Sequence, residues 1–308
     1  MNEPHTPIRV ATRGSQLALW QANWVAAQLR ALAPGRIVEL VEVKSTGDRD
    51  QSTPLAAIGG TGLFTKEIQA AVLDNRADIA VHSMKDLPTQ PTPGLCIAAI
   101  PPRAAIFDAL ISPRWQRLES LPSGARVGTS APRRRALILH ARPDVEVVDV
   151  RGNVETRLNC AVSGQLDAVI LAQAGLDRVN LAHHATEQLA PPRFMPAVGQ
   201  GALAIECKAG VLELVQLLNR LDDSATRACV EAERALLAEL RGGCSVPLGC
   251  WARLELGSIR LDATVLDPQG RKRIDVSVGG TDNPQAVGAA AAEELRRLGA
   301  EKLLELPN

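Results

Sequence analysis

Apolar and polar positions alternate along this chain in two periods. Residues 8–11 read as a short strand, with Arg9 between Ile8 and Val10. Leu17, Trp20, Trp24, Val25 and Leu32 then fall on one helical face, with Ser15 placed to cap that helix. Residues 37–43 predict a second strand, 65–76 a helix, and 78–82 a short strand with a buried centre. Pro88, Pro91, Pro93, Pro101 and Pro102 interrupt the pattern. It restarts with strands at 125–128, 145–150 and 167–171 and helices between them. Strands alternating with helices predict doubly wound α/β domains.

A second junction lies at Pro191-Pro192 and at residues 196–201. Two crossings, near 102 and near 198, predict a two-segment hinge of the kind that closes on a ligand. The last third reads differently. Residues 222–240 form an Ala/Leu-rich helix that ends at Gly242-Gly243-Cys244. Two or three strands follow between 251 and 278, with a turn at 267–270 and a closing helix from 284 to about 304. The expected domains are therefore an α/β domain of residues 1–101 and 200–219, a second of 105–195, and a small α+β domain of 222–308.

Charge narrows the partners. Lys+Arg and Asp+Glu are both 34, so the net charge is zero, whereas a general nucleic-acid binder carries a basic excess. There is no Tyr and only three Phe, too few aromatics for base stacking. No apolar run is long enough to span a membrane, and Met1-Asn2-Glu3-Pro4-His5 opens neither a signal nor a transit peptide. A cytoplasmic monomer is expected, with no nucleic-acid or membrane partner. Cys96, Cys160, Cys207, Cys229, Cys244 and Cys250 form no C-x-x-C pair, and no histidine stands at ligand spacing. Neither a metal site nor a disulfide framework is expected.

Against this neutral background two arginine clusters stand out. One is Ser130-Ala131-Pro132-Arg133-Arg134-Arg135, the other Arg151-Gly152-Asn153-Val154-Glu155-Thr156-Arg157. Each follows an expected strand and precedes an expected helix, where open α/β sheets hold ligands. Guanidinium groups gathered there point to a ligand with several carboxylates or phosphates; a solvated basic surface is the alternative. Arg13-Gly14-Ser15 offers a third anion site, or a plain helix cap. Lys85-Asp86 follows the strand at 78–82, so Asp86 reads either as a general acid and cation stabiliser or as half of a surface ion pair. The loop Gly59-Gly60-Thr61-Gly62-Leu63-Phe64 fits neither a Walker loop nor a dinucleotide fingerprint and reads as a mobile loop near a site. Cys244, after two glycines, is either an exposed nucleophile or attachment point, or an incidental residue at a helix end.

In series these motifs resemble the hydroxymethylbilane synthase, or porphobilinogen deaminase, family. The matching stretches are residues 11–21, 77–86, 127–130 with Arg133-Arg134, 151–154 with Thr156-Arg157, 196–201 and 242–244, in the family's order and across nearly the whole chain. The resemblance implies two periplasmic-binding-protein-like α/β domains and a small third domain. It also implies a dipyrromethane cofactor joined by a thioether to Cys244, and the head-to-tail condensation of four porphobilinogen molecules with loss of ammonia. It implies Asp86 as the catalytic residue. Substrate- and cofactor-binding roles fall to Arg13, Ser15, Ser83, Lys85, Thr129, Ser130, Arg133, Arg134, Arg151, Arg157 and Gln200. Each substrate ring brings an acetate and a propionate, which accounts for the arginines, and a carboxylate among arginines should stay ionised.

Some positions depart from the family pattern. Thr61 stands where many members have Lys, Pro132 replaces a usual Leu, and Arg135 is an added charge. The competing reading is a non-catalytic solute-binding module for a polycarboxylate, which would share the fold but need neither Asp86 nor Cys244.

Overall fold

The computed structural model describes residues 7–44, 65–240 and 246–304. The glycine-rich loop with Thr61, and Cys244, lie outside the described residues. The chain groups into two compact units, residues 1–103 with 202–227, and 104–201 with 228–308.

In the first unit, strand β1 (Ile8–Thr12) leads into helix α1 (Gln16–Leu32). Ser15 caps that helix by accepting from the Ala18 amide, and Ala22, Val25, Ala26 and Leu29 form its buried stripe. Strand β2 (Val38–Glu42), helix α2 (Lys66–Leu73), strand β3 (Ile79–Ser83) and strand β4 (Leu95–Ala99) follow. The second unit begins with β5 (Asp108–Ile111) and β6 (Arg126–Gly128), then α3 (Pro132–Ala141), β7 (Glu146–Val148) and α4 (Val154–Val162). It continues through β8 (Ala168–Ala172), α5 (Gln173–Arg178) and β9 (Glu187–Leu189). The chain then returns to the first unit as β10 (Leu203–Lys208) and α6 (Leu212–Asn219). Helix α7 (Ser224–Glu239), strands β11 (Leu248–Glu255), β12 (Ser258–Leu266) and β13 (Arg273–Thr281), and helices α8 (Pro284–Arg297) and α9 (Ala300–Leu304) complete the chain.

The two larger sheets share one plan. The first has the order β2-β1-β3-β10-β4, the second β7-β6-β8-β5-β9. In each, four strands share one direction and one runs against its two neighbours: β10 between β3 and β4, β5 between β8 and β9. Helices cover both faces. In the first sheet α1 and α6 bury Leu29 and Leu218 on one side, while α2 buries Ile68 and Val72 on the other. In the second, α3 supplies Leu137 and Ile138 to one core, and α4 supplies Leu158 and Ala161 to the other. The fold is thus α/β with two doubly wound, mixed sheets and a small α+β element.

That third element is an antiparallel sheet in the order β11-β12-β13, with α7 and α8 packed on it. Leu266 of β12 sits in the same core as Val127, Leu137 and Ile170 of the second sheet. Gly270, in the turn after β12 with φ +68°, lies so close to α3 that a Cβ there would meet the Ala136 carbonyl.

Two element expectations need adjustment. The helix expected over 65–76 stops at Leu73, after which Asn75 takes φ 60°. The closing helix breaks into α8 and α9 at Gly299, whose φ is +86°. Strands β4, β5, β9 and β10 are additional, with β5 and β10 the antiparallel members, and periodicity gave no warning of them.

Candidate functional site

In the first sheet the order turns at β1, with β2 on one side and β3 on the other, so the loops after β1 and β3 flank a switch point. Arg13 and Ser15 follow β1, and Ser83 ends β3. A short 3-10 turn, Met84–Asp86, comes next. Met84 is buried and its amide donates to the Ala202 carbonyl at 3.0 Å, which pins the turn and leaves Asp86 exposed at its end. Arg13, Ser15, Gln21, His82, Ser83 and Asp86 line one pocket. Lys85 is half-buried on the same turn.

The pocket sets one carboxylate among hydroxyls, an amide, an imidazole and a guanidinium. Ser15 is both helix cap and pocket wall: its oxygen accepts from the Ala18 amide at 3.4 Å, leaving its own proton for another acceptor. Ser83 accepts from Gln21 Nε2 at 2.9 Å. The motif reading did not single out Gln21 or His82. Gln21 had a signal, since it lies on the apolar stripe of α1 between Leu17 and Val25, four residues from each. A polar residue on a buried face needs a partner, and here it finds Ser83.

The second sheet repeats the arrangement after β6 and β7. Pro132 occupies the first turn of α3, where its missing N–H costs nothing, and Arg133 and Arg134 follow in register. Both arginines are buried, 4% and 7% exposed, and both meet Asp108. Arg133 Nη2 lies 2.8 Å and Arg134 Nη2 2.7 Å from its carboxylate. Gln200 Nε2 donates to the same carboxylate at 3.0 Å and to the Ile106 carbonyl at 2.7 Å. Burial alone would raise the Asp108 carboxyl, but the charges of Arg133 and Arg134 outweigh it and hold the group well below the usual carboxylate range. Two guanidinium groups against one carboxylate leave one positive charge in this cluster.

Thr129 and Ser130 brace the loops. Thr129 Oγ1 accepts from the Ala131 amide at 3.3 Å. Ser130 Oγ donates to the Val150 carbonyl at 2.8 Å and accepts from the Val150 amide at 3.0 Å, tying the end of β6 to the segment after β7. That segment carries Arg151, whose Nη2 is buried without a hydrogen-bond partner among the described residues. The Glu155 carboxylate, one turn on, is likewise buried without one. Arg157 donates from Nε to the Gly152 carbonyl at 2.9 Å. Gly152 has φ +101°, and a Cβ there would lie 2.7 Å from the Thr156 side chain, so the loop requires glycine. Arg178 was not foreseen: it is 8% exposed, donates to the Gly201 carbonyl at 2.8 Å, and is lowered by burial to about 10.

An unsatisfied guanidinium N–H in a closed setting is what an anionic ligand relieves. A dipyrromethane, with its acetate and propionate groups, therefore fits the donor set of the second unit on the evidence of Arg151. Among the described residues no His/Cys/Asp/Glu group could hold a metal ion, and no helix is long and apolar enough to cross a membrane.

Two family models match the chain. One, described as "Porphobilinogen deaminase, dipyromethane cofactor binding domain", matches residues 8–216, and "Porphobilinogen deaminase, C-terminal domain" matches residues 227–297. The porphobilinogen deaminase of Maridesulfovibrio salexigens is 44% identical over 299 residues, covering 97% of each chain. That of Desulforudis audaxviator is 45% identical over 298 residues, covering 96% of each. Among solved structures, a putative methionine-binding lipoprotein from Bacillus subtilis is similar with a TM-score of 0.42 at 15% identity, over 69% of this chain and 90% of that one. A likeness this distant leaves the fold to be read from the strand order above.

Proposed function

The chain belongs to the porphobilinogen deaminase family, and from that premise we propose how its own residues carry the reaction. The enzyme is a transferase of tetrapyrrole biosynthesis, a hydroxymethylbilane synthase that joins four porphobilinogen molecules head to tail with loss of ammonia. Its dipyrromethane cofactor supplies a tethered primer, so that each addition joins held partners instead of free ones.

Asp86 is the residue to which the chemistry falls. The substrate loses an amine from a methylene beside an electron-rich pyrrole and becomes a delocalised cation. A carboxylate orients the departing ammonium and stabilises that cation. The observation that carries this reading is the pocket itself, where Asp86 shares one cavity with Arg13, Ser15 and Ser83. Arg13 and the Ser15 hydroxyl bind a ring carboxylate there, with Lys85 beside them. In the second unit Arg151 and Arg157 bind further carboxylates directly. Arg133 and Arg134 contribute the N–H groups that Asp108 leaves unused, and Gln200, Thr129 and Ser130 hold this frame in place. Cys244 carries the thioether.

The same reading makes residues 1–101 with 200–219, 105–195 and 222–308 three domains, and the enzyme a cytoplasmic monomer. A reducing compartment keeps Cys244 a free thiol until it takes up the cofactor. Intact-protein mass spectrometry tests the assignment. Wild type gains the mass of two linked pyrrole units, directly or after incubation with porphobilinogen, and Cys244→Ser does not. An adduct that persists in Cys244→Ser rules out this attachment point.

A further inference from the structure

The Asp86 pocket has a second titratable wall, His82, and a buried carboxylate stands behind it. Strand β10 runs antiparallel to β3 with Ala204 opposite His82 and Glu206 opposite Ala80. His82 and Glu206 therefore project from one face of the sheet, two rungs apart. Helix α2 covers that face and presents Gln69 to it. All three side chains are buried, with exposures of 5% for His82, 4% for Glu206 and 5% for Gln69. Gln69 Nε2 donates to both Glu206 oxygens, at 3.2 and 2.9 Å. Glu206 Oε2 lies 3.0 Å from His82 Nε2. Among the described residues these are the polar partners of the Glu206 carboxylate.

Gln69 is the hydrogen-bond donor that fixes this carboxylate, and it holds Glu206 against the Nε2 side of the ring. The contact lies outside hydrogen-bond geometry, but a carboxylate 3.0 Å from Nε2 repels a lone pair there and favours the tautomer with its hydrogen on Nε2. The ring is thereby oriented, and Nδ1 is left as the second nitrogen. It makes no hydrogen bond to any described residue, while His82 lines the same pocket as Asp86.

Each condensation moves one proton from carbon to nitrogen, the aminomethyl group entering in its ammonium form. The C–N bond of the aminomethyl group breaks and ammonia leaves with the electron pair. A C–C bond forms from the methylene to the free α-carbon of the accepting pyrrole. The α-C–H bond then breaks, its electron pair restores the aromatic ring, and its proton must go to a base. Asp86 attends the departing amine and the cation, which leaves the α-proton without an assigned acceptor.

We propose that His82, oriented by Glu206 and Gln69, is a second proton-handling residue of this pocket and takes the α-proton on Nδ1 at each condensation. The proton passes from there to the released ammonia, giving ammonium, and the imidazole is restored. Glu206 and Gln69 act through His82 and are positioning residues. This inference rests on the function proposed above.

The test uses the cofactor-loaded full-length enzyme and porphobilinogen deuterated at its free α-position. His82→Gln should fold and load the cofactor, lose about 10²-fold in kcat with little change in KM, and show a larger primary deuterium isotope effect than wild type. Glu206→Gln should shift both quantities in the same direction by less. If both variants are folded and loaded with wild-type kcat and isotope effect, the proposal is overturned. A second measurement needs neither variant nor turnover. Nitrogen-15 NMR of the wild-type histidines at pH 8 should find His82 protonated on Nε2 and not on Nδ1, and the opposite tautomer overturns the proposal even if His82→Gln fails to fold. A wild-type protein inactive on porphobilinogen would overturn the proposed function instead, with the tautomer still decided by NMR.

Discussion

Asp108 gathers Arg133, Arg134 and Gln200 in the interior of the second unit, and most of what a single residue decides in this protein can be argued from it. Removing the carboxylate would leave two buried guanidinium groups facing each other. Asp108→Asn is therefore expected to cost about 3–5 kcal/mol, read from urea unfolding. The pH dependence has a definite sign. The folded carboxyl is held below its unfolded value, so its contribution is fully present above about pH 4 and is lost as pH falls further. The stability gap between wild type and Asp108→Asn should stay constant from about pH 7 to 5 and narrow below about pH 4. A gap independent of pH down to acid unfolding would contradict the ion-pair account. At the other sheet, Asp86 is exposed at the end of its turn. Asp86→Asn should keep the melting temperature and the cofactor mass while kcat drops by about 10²–10⁴-fold. Near-normal turnover of the loaded variant would remove Asp86 from the mechanism.

At the scale of the element, the antiparallel strand β10 matters most. It lies between β3 and β4, carries Glu206 under α2, and sets Cys207 directly opposite Cys96 of β4. The two sulfurs are 3.9 Å apart. Burial, and then the neighbouring Cys96, push the Cys207 thiol up to about 12. At pH 8 only about one such thiol in 10⁴ is ionised. Native protein treated with iodoacetamide at pH 8 should leave Cys207 unmodified, with labelling appearing only in urea. Labelling in the folded protein as fast as at half-buried Cys160 would mean that β10 and β4 do not pair as described. Helix α3 offers a simpler case. Pro132, a departure from the family's usual residue, sits where proline favours a helix start, so the following arginines keep their register.

At the scale of the molecule, the small C-terminal sheet shares its core with the second α/β sheet. Leu266 packs among Val127, Leu137 and Ile170, and Gly270 abuts α3. Native-state hydrogen exchange in rising urea should therefore find β6, β8 and β12 losing protection together. Protection of β12 that outlasts β6 and β8 would instead mean an independently folding C-terminal domain.

Much of this was legible in the order of residues alone. Strand runs, the Ser15 cap, the proline junctions and the motif series identified two wound sheets and the family, and nominated Asp86, because strand and helix periods and turn residues are local signals. Cys244 was nominated in the same way, as a motif position that needs no tertiary contact to be proposed. The partners Asp108, Glu206 and His82 were not. Asp108 is separated from Arg134 by 26 positions and Glu206 from Gln69 by 137. Each became visible only when an antiparallel strand from elsewhere in the chain, β5 or β10, entered a parallel sheet. Periodicity reports which face of an element is buried; it carries no information about which distant strand lies beside it, and a buried charge finds its partner only through that pairing.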